Sequence, residues 1–129
     1  MELQKLVCNL MVEDVNKTVA FYEDVLDYIL GMNFPEEGQW DWALMKRDGI
    51  ELMFQSKKTM VKELPSLREK PIGATVSLYV TVDDVKSYHN SVKDKVKIVQ
   101  DLHPTQYGTE EFSFEDCNGY ILVYAQRLR

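Results

Sequence analysis

The sequence predicts an α+β fold made of two tandem βαβββ modules. The prediction is based on an internal repeat, on the order of the predicted elements and on the spacing of apolar residues. Asp84 lies 70 residues after Asp14, and Gly119 lies 70 residues after Gly49. Each Asp follows an apolar, strand-like run, and each Gly precedes one. Because two separated anchors share one offset, the sequence indicates a duplicated supersecondary unit.

The first module is predicted over residues 1–56. It opens with Leu3–Val12, whose alternating polarity is typical of a strand with one buried face. The core-facing positions of this strand are Leu6, Cys8, Leu10 and Val12. Asp14 is a suitable N-cap for a helix, and the apolar stripe of that helix is Val15, Thr18, Val19, Tyr22, Val25 and Leu26. Three strand candidates follow: Tyr28–Phe34, Gln39–Arg47 and Ile50–Gln55.

The second module is predicted over residues 74–129. It has a strand at Thr75–Val82, with Val76, Leu78, Val80 and Val82 on its core face, and a helix capped by Asp84. Three further strands are predicted at Val96–Leu102, Thr109–Glu115 and Tyr120–Gln126. Residues 57–73 form a partly helical linker, and its packing residues are predicted to be Met60, Val61, Leu64 and Leu67.

The two modules are expected to form one compact domain, because the helix of a βαβββ unit covers only one face of its strands. Placed side by side, the modules would form a curved mixed sheet with the helices on its outer face. A cleft would then be left on the other face, where function is expected.

The composition excludes several classes of function. The net charge is −6, and the basic residues are scattered along the chain, which argues against a nucleic-acid partner. The longest apolar runs are far shorter than the roughly 20 residues of a membrane-spanning helix. The first residues also lack the pattern of a secretory signal. We therefore expect a soluble, cytoplasmic protein without a membrane partner.

Three motifs resemble those of the vicinal-oxygen-chelate superfamily, which includes glyoxalases, bleomycin-resistance proteins and dioxygenases. Residues 12–22 (VEDVNKTVAFY) are similar to the strand end and following helix with which these proteins open. Residues 107–119 (YGTEEFSFEDCNG) are similar to the closing W-G-x-x-E-F signature. Residues 42–52 (WALMKRDGIEL) resemble the middle strands of bleomycin-resistance proteins in particular.

The resemblance implies where a metal would bind. Enzymes of the superfamily hold a divalent metal with His, Glu or Gln side chains on the first and last strand of each module. The corresponding positions of this chain are Val7, Met53, Ser77 and Val123. These side chains lack the imidazole and carboxylate groups that such metals require. We therefore expect no metal and no other cofactor.

The resemblance to bleomycin-resistance proteins implies an aromatic ligand site. Trp42 and Tyr107 match two rings that sandwich a flat ligand in that family, and such rings interact by offset stacking. Glu51 and Glu111 would face a cationic part of the ligand. By strand alternation, the cleft is also expected to be lined by Asn9, Met53 and Tyr79, with Trp40 beside Trp42 on one face of the third strand. The simpler interpretation is that the rings pack in the core or at an interface, and that both Glu side chains are solvated.

Two classes of function follow. The first is a non-catalytic protein that sequesters a flat, neutral or cationic small molecule and has no catalytic residues. The alternative is a metal-dependent lyase, isomerase or dioxygenase of the glyoxalase type. A metal-free enzyme would need Glu51 or Glu111 as a general base with a raised pKa. We favour the binding protein and expect a homodimer, in which a second chain completes the cleft. A monomer with its two modules closed on each other is the rival arrangement.

Overall fold

The order of elements repeats along the chain, as the sequence predicts. The computed structural model describes residues 1–128 and divides into two compact units, residues 1–72 and 73–129. Unit 1 contains β1 (Cys8–Val12), α1 (Val15–Asp24), β2 (Ile29–Phe34), β3 (Trp42–Arg47), β4 (Ile50–Ser56), α2 (Lys57–Glu63) and a 3-10 turn (Pro65–Leu67). Unit 2 contains β5 (Ser77–Thr81), α3 (Val85–Val92), β6 (Lys97–Pro104), β7 (Thr109–Glu115) and β8 (Ile121–Arg127). The α+β class and the two βαβββ modules are confirmed.

Each unit has one four-stranded mixed sheet with the same topology. The strand order is β1-β4-β3-β2 in unit 1 and β5-β8-β7-β6 in unit 2. The first strand of each unit pairs in parallel with the last, and the remaining pairs are antiparallel. A parallel pair needs a long crossover connection. The helix and the intervening strands of each unit supply that connection.

The core of unit 1 lies between its sheet and α1. The predicted apolar stripe of the helix is buried at Val15, Thr18, Val19 and Tyr22, and Leu26 just beyond the helix is also buried. The Tyr22 ring is fully buried and lies 4.7 Å from the Phe54 ring, centroid to centroid. Burying a large apolar side chain contributes roughly 1.5–3 kcal/mol. This contact therefore fixes which face of the sheet is left without helix cover.

The core of unit 2 is built in the same way, with more aromatic side chains. Val85 and Val92 of α3 are buried, and Tyr88 stacks on Tyr124 of β8 with 4.3 Å between ring centroids. Phe112 of β7 is also buried in this layer, 6.0 Å from Tyr124. These contacts assign the helix side of the sheet, so residues of opposite parity lie on its other face.

Both predicted N-caps are present. The Asp14 carboxylate accepts the Lys17 backbone N–H at 3.0 Å, and the Asp84 carboxylate accepts the Ser87 N–H at 3.0 Å. Each bond satisfies one of the backbone donors that a helix start leaves without a partner. The repeat of 70 residues therefore extends to individual hydrogen bonds.

Four predicted positions differ in the structure. Leu6 is 93% exposed because the first strand begins only at Cys8. Trp40 precedes β3 and does not share the third strand with Trp42. Leu64 is exposed at the end of α2 and does not pack into the core. Val76 precedes β5 and is also exposed, whereas Met60 of the linker is buried as predicted. None of the helices formed by residues 1–128 is long and apolar enough to span a membrane.

Candidate functional site

The open face of unit 1 is the face of its sheet that points away from α1. Strand pairing aligns Trp42 with Gln55 and Leu44 with Met53 across β3 and β4, and Asn9 of β1 with Met53. The four on β3 and β4 alternate with the buried Ala43, Met45, Leu52 and Phe54, and Asn9 precedes the buried Leu10. Paired residues point to the same side of a sheet. Trp42, Met53 and Asn9 therefore share the open face, on which the sequence placed them.

Strand β2 adds two apolar side chains to the site that were not predicted from the sequence. Phe34 pairs with Trp42, and Met32 pairs with Leu44. Phe34 is 66% exposed and Met32 is 58% exposed, while Trp42 and Leu44 are half-buried. Because side chains alternate along a strand, Met32 and Phe34 must lie on the same face of the sheet. The sequence did not reveal which face, because that depends on the register of the β2–β3 hairpin, which contains a bulge between Leu30 and Met32.

Helix α2 covers one end of the open face of unit 1 through a polar network. Asn9 Nδ2 donates to Gln55 Oε1 at 2.8 Å. Gln55 Nε2 donates to Thr59 Oγ1 at 3.1 Å and to Glu63 Oε2 at 3.2 Å. Because buried amides must find partners, these bonds fix the buried Gln55 side chain, and the exposed Asn9 side chain is bonded to it. Asn9 therefore borders the apolar surface with its amide already engaged.

Glu51 lies on the same face, and cations neutralise it. Its carboxylate forms ion pairs with Lys5 and, at 3.4 Å, with Lys46. The hydrogen bond from Lys5 is the main cause that lowers the pKa of Glu51, and the bond from Lys46 adds to it. A general base for proton abstraction near neutral pH needs the opposite shift. Glu51 is therefore unsuited both to that role and to holding a further cation.

The open face of unit 2 contains a hydrogen-bonded Tyr–Glu pair. Tyr79 Oη donates to Glu111 Oε2 at 2.6 Å, and Thr109 Oγ1 donates to the same oxygen at 2.8 Å. The bond to Glu111 is the main cause that raises the pKa of Tyr79 above 10.0. The phenol therefore stays protonated at neutral pH and remains a donor. Its side chain is still 57% exposed.

Tyr107 lies at the tip of the loop between β6 and β7 and is 85% exposed. The loop is closed by bonds from the Thr105 N–H to the Thr109 carbonyl at 2.8 Å and between the two threonine hydroxyls at 2.7 Å.

Trp40 occupies a different environment. Its backbone N–H donates to Asn16 Oδ1 of α1 at 2.8 Å, so α1 positions it rather than the sheet.

The structure therefore groups the predicted site residues within each unit. Unit 1 brings Trp42, Met53, Asn9 and Glu51 onto one face of its sheet. Unit 2 brings Tyr79 and Glu111 into direct contact, and Tyr107 lies in the loop before β7.

The positions that correspond to metal ligands do not fit a divalent metal. Met53 pairs with Asn9, Val123 pairs with Tyr79, and Ser77 pairs with Ile121. Val7 precedes β1. Neither an aliphatic side chain nor a neutral hydroxyl replaces imidazole or carboxylate ligands, and a thioether is too soft a ligand. Within residues 1–128, no three His, Cys, Asp or Glu side chains form a group that could hold a metal ion.

Comparison with proteins of known structure reveals the same fold in several bacterial proteins. TioX from Micromonospora sp. ML1 has a TM-score of 0.76 and 20% identity, over 97% of this chain and 99% of that one. A glyoxalase/bleomycin resistance protein/dioxygenase from Nocardioides has a TM-score of 0.82 and 18% identity, over 100% of this chain and 86% of that one.

A third similar structure is the bleomycin-binding protein from bleomycin-producing Streptomyces verticillus, complexed with copper(II)-bleomycin. It has a TM-score of 0.66 and 19% identity, over 96% of each chain. No curated protein matches the sequence. The family model for the glyoxalase/bleomycin resistance protein/dioxygenase superfamily matches residues 6–124. The chain therefore belongs to the glyoxalase/bleomycin resistance protein/dioxygenase superfamily.

Proposed function

We propose that this protein is a non-catalytic binding protein that sequesters a flat small molecule on the open face of unit 1. The observation that carries the proposal is the apolar surface formed by Met32, Phe34, Trp42, Leu44 and Met53. Two of these side chains are more than half exposed, although both belong to a paired strand. Contiguous apolar surface of this kind marks a binding site or an interface.

The chemistry of the surface favours a flat aromatic ligand. Trp42 supplies a large stacking face, and Phe34 lies beside it on the neighbouring strand. Met32 and Met53 have flexible, polarisable side chains that adapt to ligands of varied shape. Asn9 borders this surface on the side of α2, and its exposed side chain supplies a polar group that would orient a ligand. Small-molecule sites commonly combine a mainly apolar lining with a few placed polar groups.

The donor chemistry supports binding over metal-dependent catalysis. The side chains at the family's metal-ligand positions, residues 7, 53, 77 and 123, do not suit a divalent metal. The lowered pKa of Glu51 also argues against metal-free base catalysis at that residue. We therefore propose that the protein uses no cofactor and does not chemically alter its ligand.

A homodimer is part of the proposal. A second copy would cover apolar surface that one chain leaves exposed on β2, including Ile29 at its start. Burying such surface is favourable at about 25 cal/mol per Å². Light scattering coupled to size-exclusion chromatography measures the molar mass directly, and a mass near the 15.1 kDa of one chain would contradict this part of the proposal.

Tryptophan fluorescence tests the binding site itself, because the chain has only two tryptophans. The Trp40→Phe variant leaves Trp42 as the sole indole, and the Trp42→Phe variant leaves Trp40. We would titrate both variants with metal-free bleomycin and with a panel of planar heteroaromatic compounds. Saturable quenching in the Trp40→Phe variant, with affinity weakened in Trp42→Phe by calorimetry, is the expected result. If both variants bind a probe equally well, or if none of the probes binds, the proposed site is wrong.

A further inference from the structure

The three glutamates on the open faces of the two sheets differ in how their charge is balanced. Glu51 in unit 1 is paired with Lys5 and Lys46. Glu115 in unit 2 is paired with Lys97 at 2.8 Å. Glu111 instead accepts hydrogen bonds from two neutral hydroxyls, those of Tyr79 and Thr109. Hydroxyls solvate a carboxylate without cancelling its charge, so Glu111 keeps a negative charge to offer to a ligand.

The phenol of Tyr79 is held beside this charge in a fixed orientation. Strands β5 and β7 both pair with β8, so the bond from Tyr79 to Glu111 crosses two strand spacings, about 9.6 Å. The side chain must therefore extend over β8, near Val123 and Ala125, which are the positions that pair with Tyr79 and Glu111. Its exposure of 57% leaves ring surface available.

An exposed aromatic ring next to a carboxylate that forms no ion pair within residues 1–128 is suited to an organic cation. A guanidinium or alkylammonium group would be attracted by the face of the ring, through a cation–π interaction. It would also donate a charge-assisted hydrogen bond to the carboxylate.

We propose that Tyr79 and Glu111 form a binding site for an organic cation of the guanidinium or alkylammonium class. The inference rests on the proposed function, that this chain binds small molecules, and it names the chemical class that the open face of unit 2 would take. It also separates the two glutamates that the sequence treats alike, because Glu51 is already neutralised.

Two other titratable groups face Glu111 and affect how the test is designed. His103 of β6 pairs directly with Glu111, and its Nδ1 is 2.7 Å from the Asp101 carbonyl oxygen. Arg127 lies on the same face at the end of β8, paired with Thr109. Within residues 1–128 it forms no ion pair with Glu111, but its charge lowers the pKa of Tyr79 against the larger upward effect of the bond to Glu111. All titrations are therefore run at one fixed pH, pH 8.

The test compares phenylguanidine with phenylurea, which has nearly the same shape and no charge. Each would be titrated into the ¹⁵N-labelled full chain and followed by the amide resonances of β5, β7 and β8. Phenylguanidine is expected to shift these resonances, with phenylurea binding at least about tenfold more weakly. Glu111→Gln keeps an acceptor for both hydroxyls, and it should weaken phenylguanidine binding by about tenfold or more, the range expected for a hydrogen bond to a charged group.

Glu115→Gln is the matched control, because it removes a carboxylate from the same strand and face that Lys97 already neutralises. It should change the affinity less than about twofold. Arg127→Gln removes an exposed competing cation, so it should strengthen binding by about twofold.

Equal binding of the two probes, or equal losses in Glu111→Gln and Glu115→Gln, would overturn the inference. A failure here with Trp42 still responding to planar probes leaves the proposed function intact. A failure of the Trp42 response with this site still binding phenylguanidine contradicts the proposed function alone.

Discussion

Replacing Asp14 by Ala tests how much of the stability of unit 1 depends on one side chain at a helix start. The carboxylate of Asp14 accepts the Lys17 N–H at 3.0 Å and the Gln39 side-chain amide at 3.1 Å. The first bond caps α1, and the second holds the segment that leads into β3. The equivalent Asp84 of unit 2 forms the capping bond to Ser87.

The two bonds set the expected size of the effect. Loss of an N-cap side chain costs about 1 kcal/mol. The bond to Gln39 is exposed and should contribute about 0.5 kcal/mol, the lower end for an intramolecular hydrogen bond. Asp14→Ala should therefore lower the free energy of unfolding of unit 1 by about 1.5 kcal/mol. Asp84→Ala should lower that of unit 2 by about 1 kcal/mol.

Equilibrium unfolding in urea measures the difference. Trp40 and Trp42 both belong to unit 1, so their fluorescence reports the unfolding of that unit. Far-UV circular dichroism follows the Asp84→Ala variant. The double variant Asp14→Ala/Gln39→Ala completes a double-mutant cycle, which should give a coupling free energy of about 0.5 kcal/mol.

The pH dependence of the effect has a defined sign. The hydrogen bond from Lys17 is the first of the causes that lower the pKa of Asp14 below 3.8 in the folded protein. A carboxyl group with a depressed folded-state pKa stabilises the fold above its unfolded pKa, and loses that contribution as the pH falls through the folded pKa. The stability gap between the parent chain and Asp14→Ala should therefore be constant from pH 7 to pH 5. It should shrink below pH 3.8.

Two results would refute this reasoning. If Asp14→Ala costs no more than Gln39→Ala alone, the capping bond contributes nothing to stability. If the gap between the parent chain and Asp14→Ala does not change in acid, the charge of the carboxylate is not what stabilises the helix start. Asp14→Asn is the matched control, because Asn caps helices about as well as Asp but does not titrate in this range.

Three further predictions concern the backbone and the core. Gly73→Ala should destabilise unit 2 by at least about 1–2 kcal/mol in urea unfolding. Gly73 has φ +86, and a Cβ there would lie 2.7 Å from the Asn118 carbonyl oxygen. Stability equal to that of the parent chain would show that the segment shifts freely. Thr75→Asn should stabilise unit 2 by about 1 kcal/mol, since a β-branched residue is strained at φ 63 and Asn is not; an unchanged midpoint would contradict the assigned strain. Phe54→Ala should cost unit 1 about 3–5 kcal/mol by leaving a cavity against Tyr22, and a loss below about 1 kcal/mol would show that the core collapses around the cavity.

Local sequence signals predicted the bounds of a strand well where the neighbouring strands of the sheet are about as long. Thr109–Glu115 was predicted with the bounds that the structure has. Leu3–Val12 was predicted too long because polarity alternates beyond the end of the sheet. Cys8 pairs with Leu52 in β4, which begins at Ile50, so residues before Leu6 have no strand beside them. The length of a strand thus depends on its neighbour, which the local pattern does not contain.

The sequence predicted which face of the sheet the site residues occupy, but it did not predict their ion pairs and hydrogen bonds. Alternation placed Met53 and Asn9 on the face away from α1, and the resemblance to bleomycin-resistance proteins placed Trp42 there. The neutralisation of Glu51 by Lys5 joins residues 46 positions apart in the sequence. The bond from Tyr79 to Glu111 needs β5 and β7 to lie on either side of β8, which is a property of strand order. No local pattern encodes either partner.

The offset of 70 residues gives this chain an internal reference. Some buried helix-side positions are occupied by the same residue in both copies, as in Val15 and Val85 or Leu52 and Leu122, and others by residues of similar character, as in Phe54 and Tyr124. Open-face positions have diverged, as in Asn9 and Tyr79. A change in solvent or temperature that acts on the shared architecture should therefore appear twice in one spectrum, at equivalent amides of both copies. A ligand that binds to one copy should shift the amide resonances of that copy alone. The equivalent amides of the other copy then serve as an internal control.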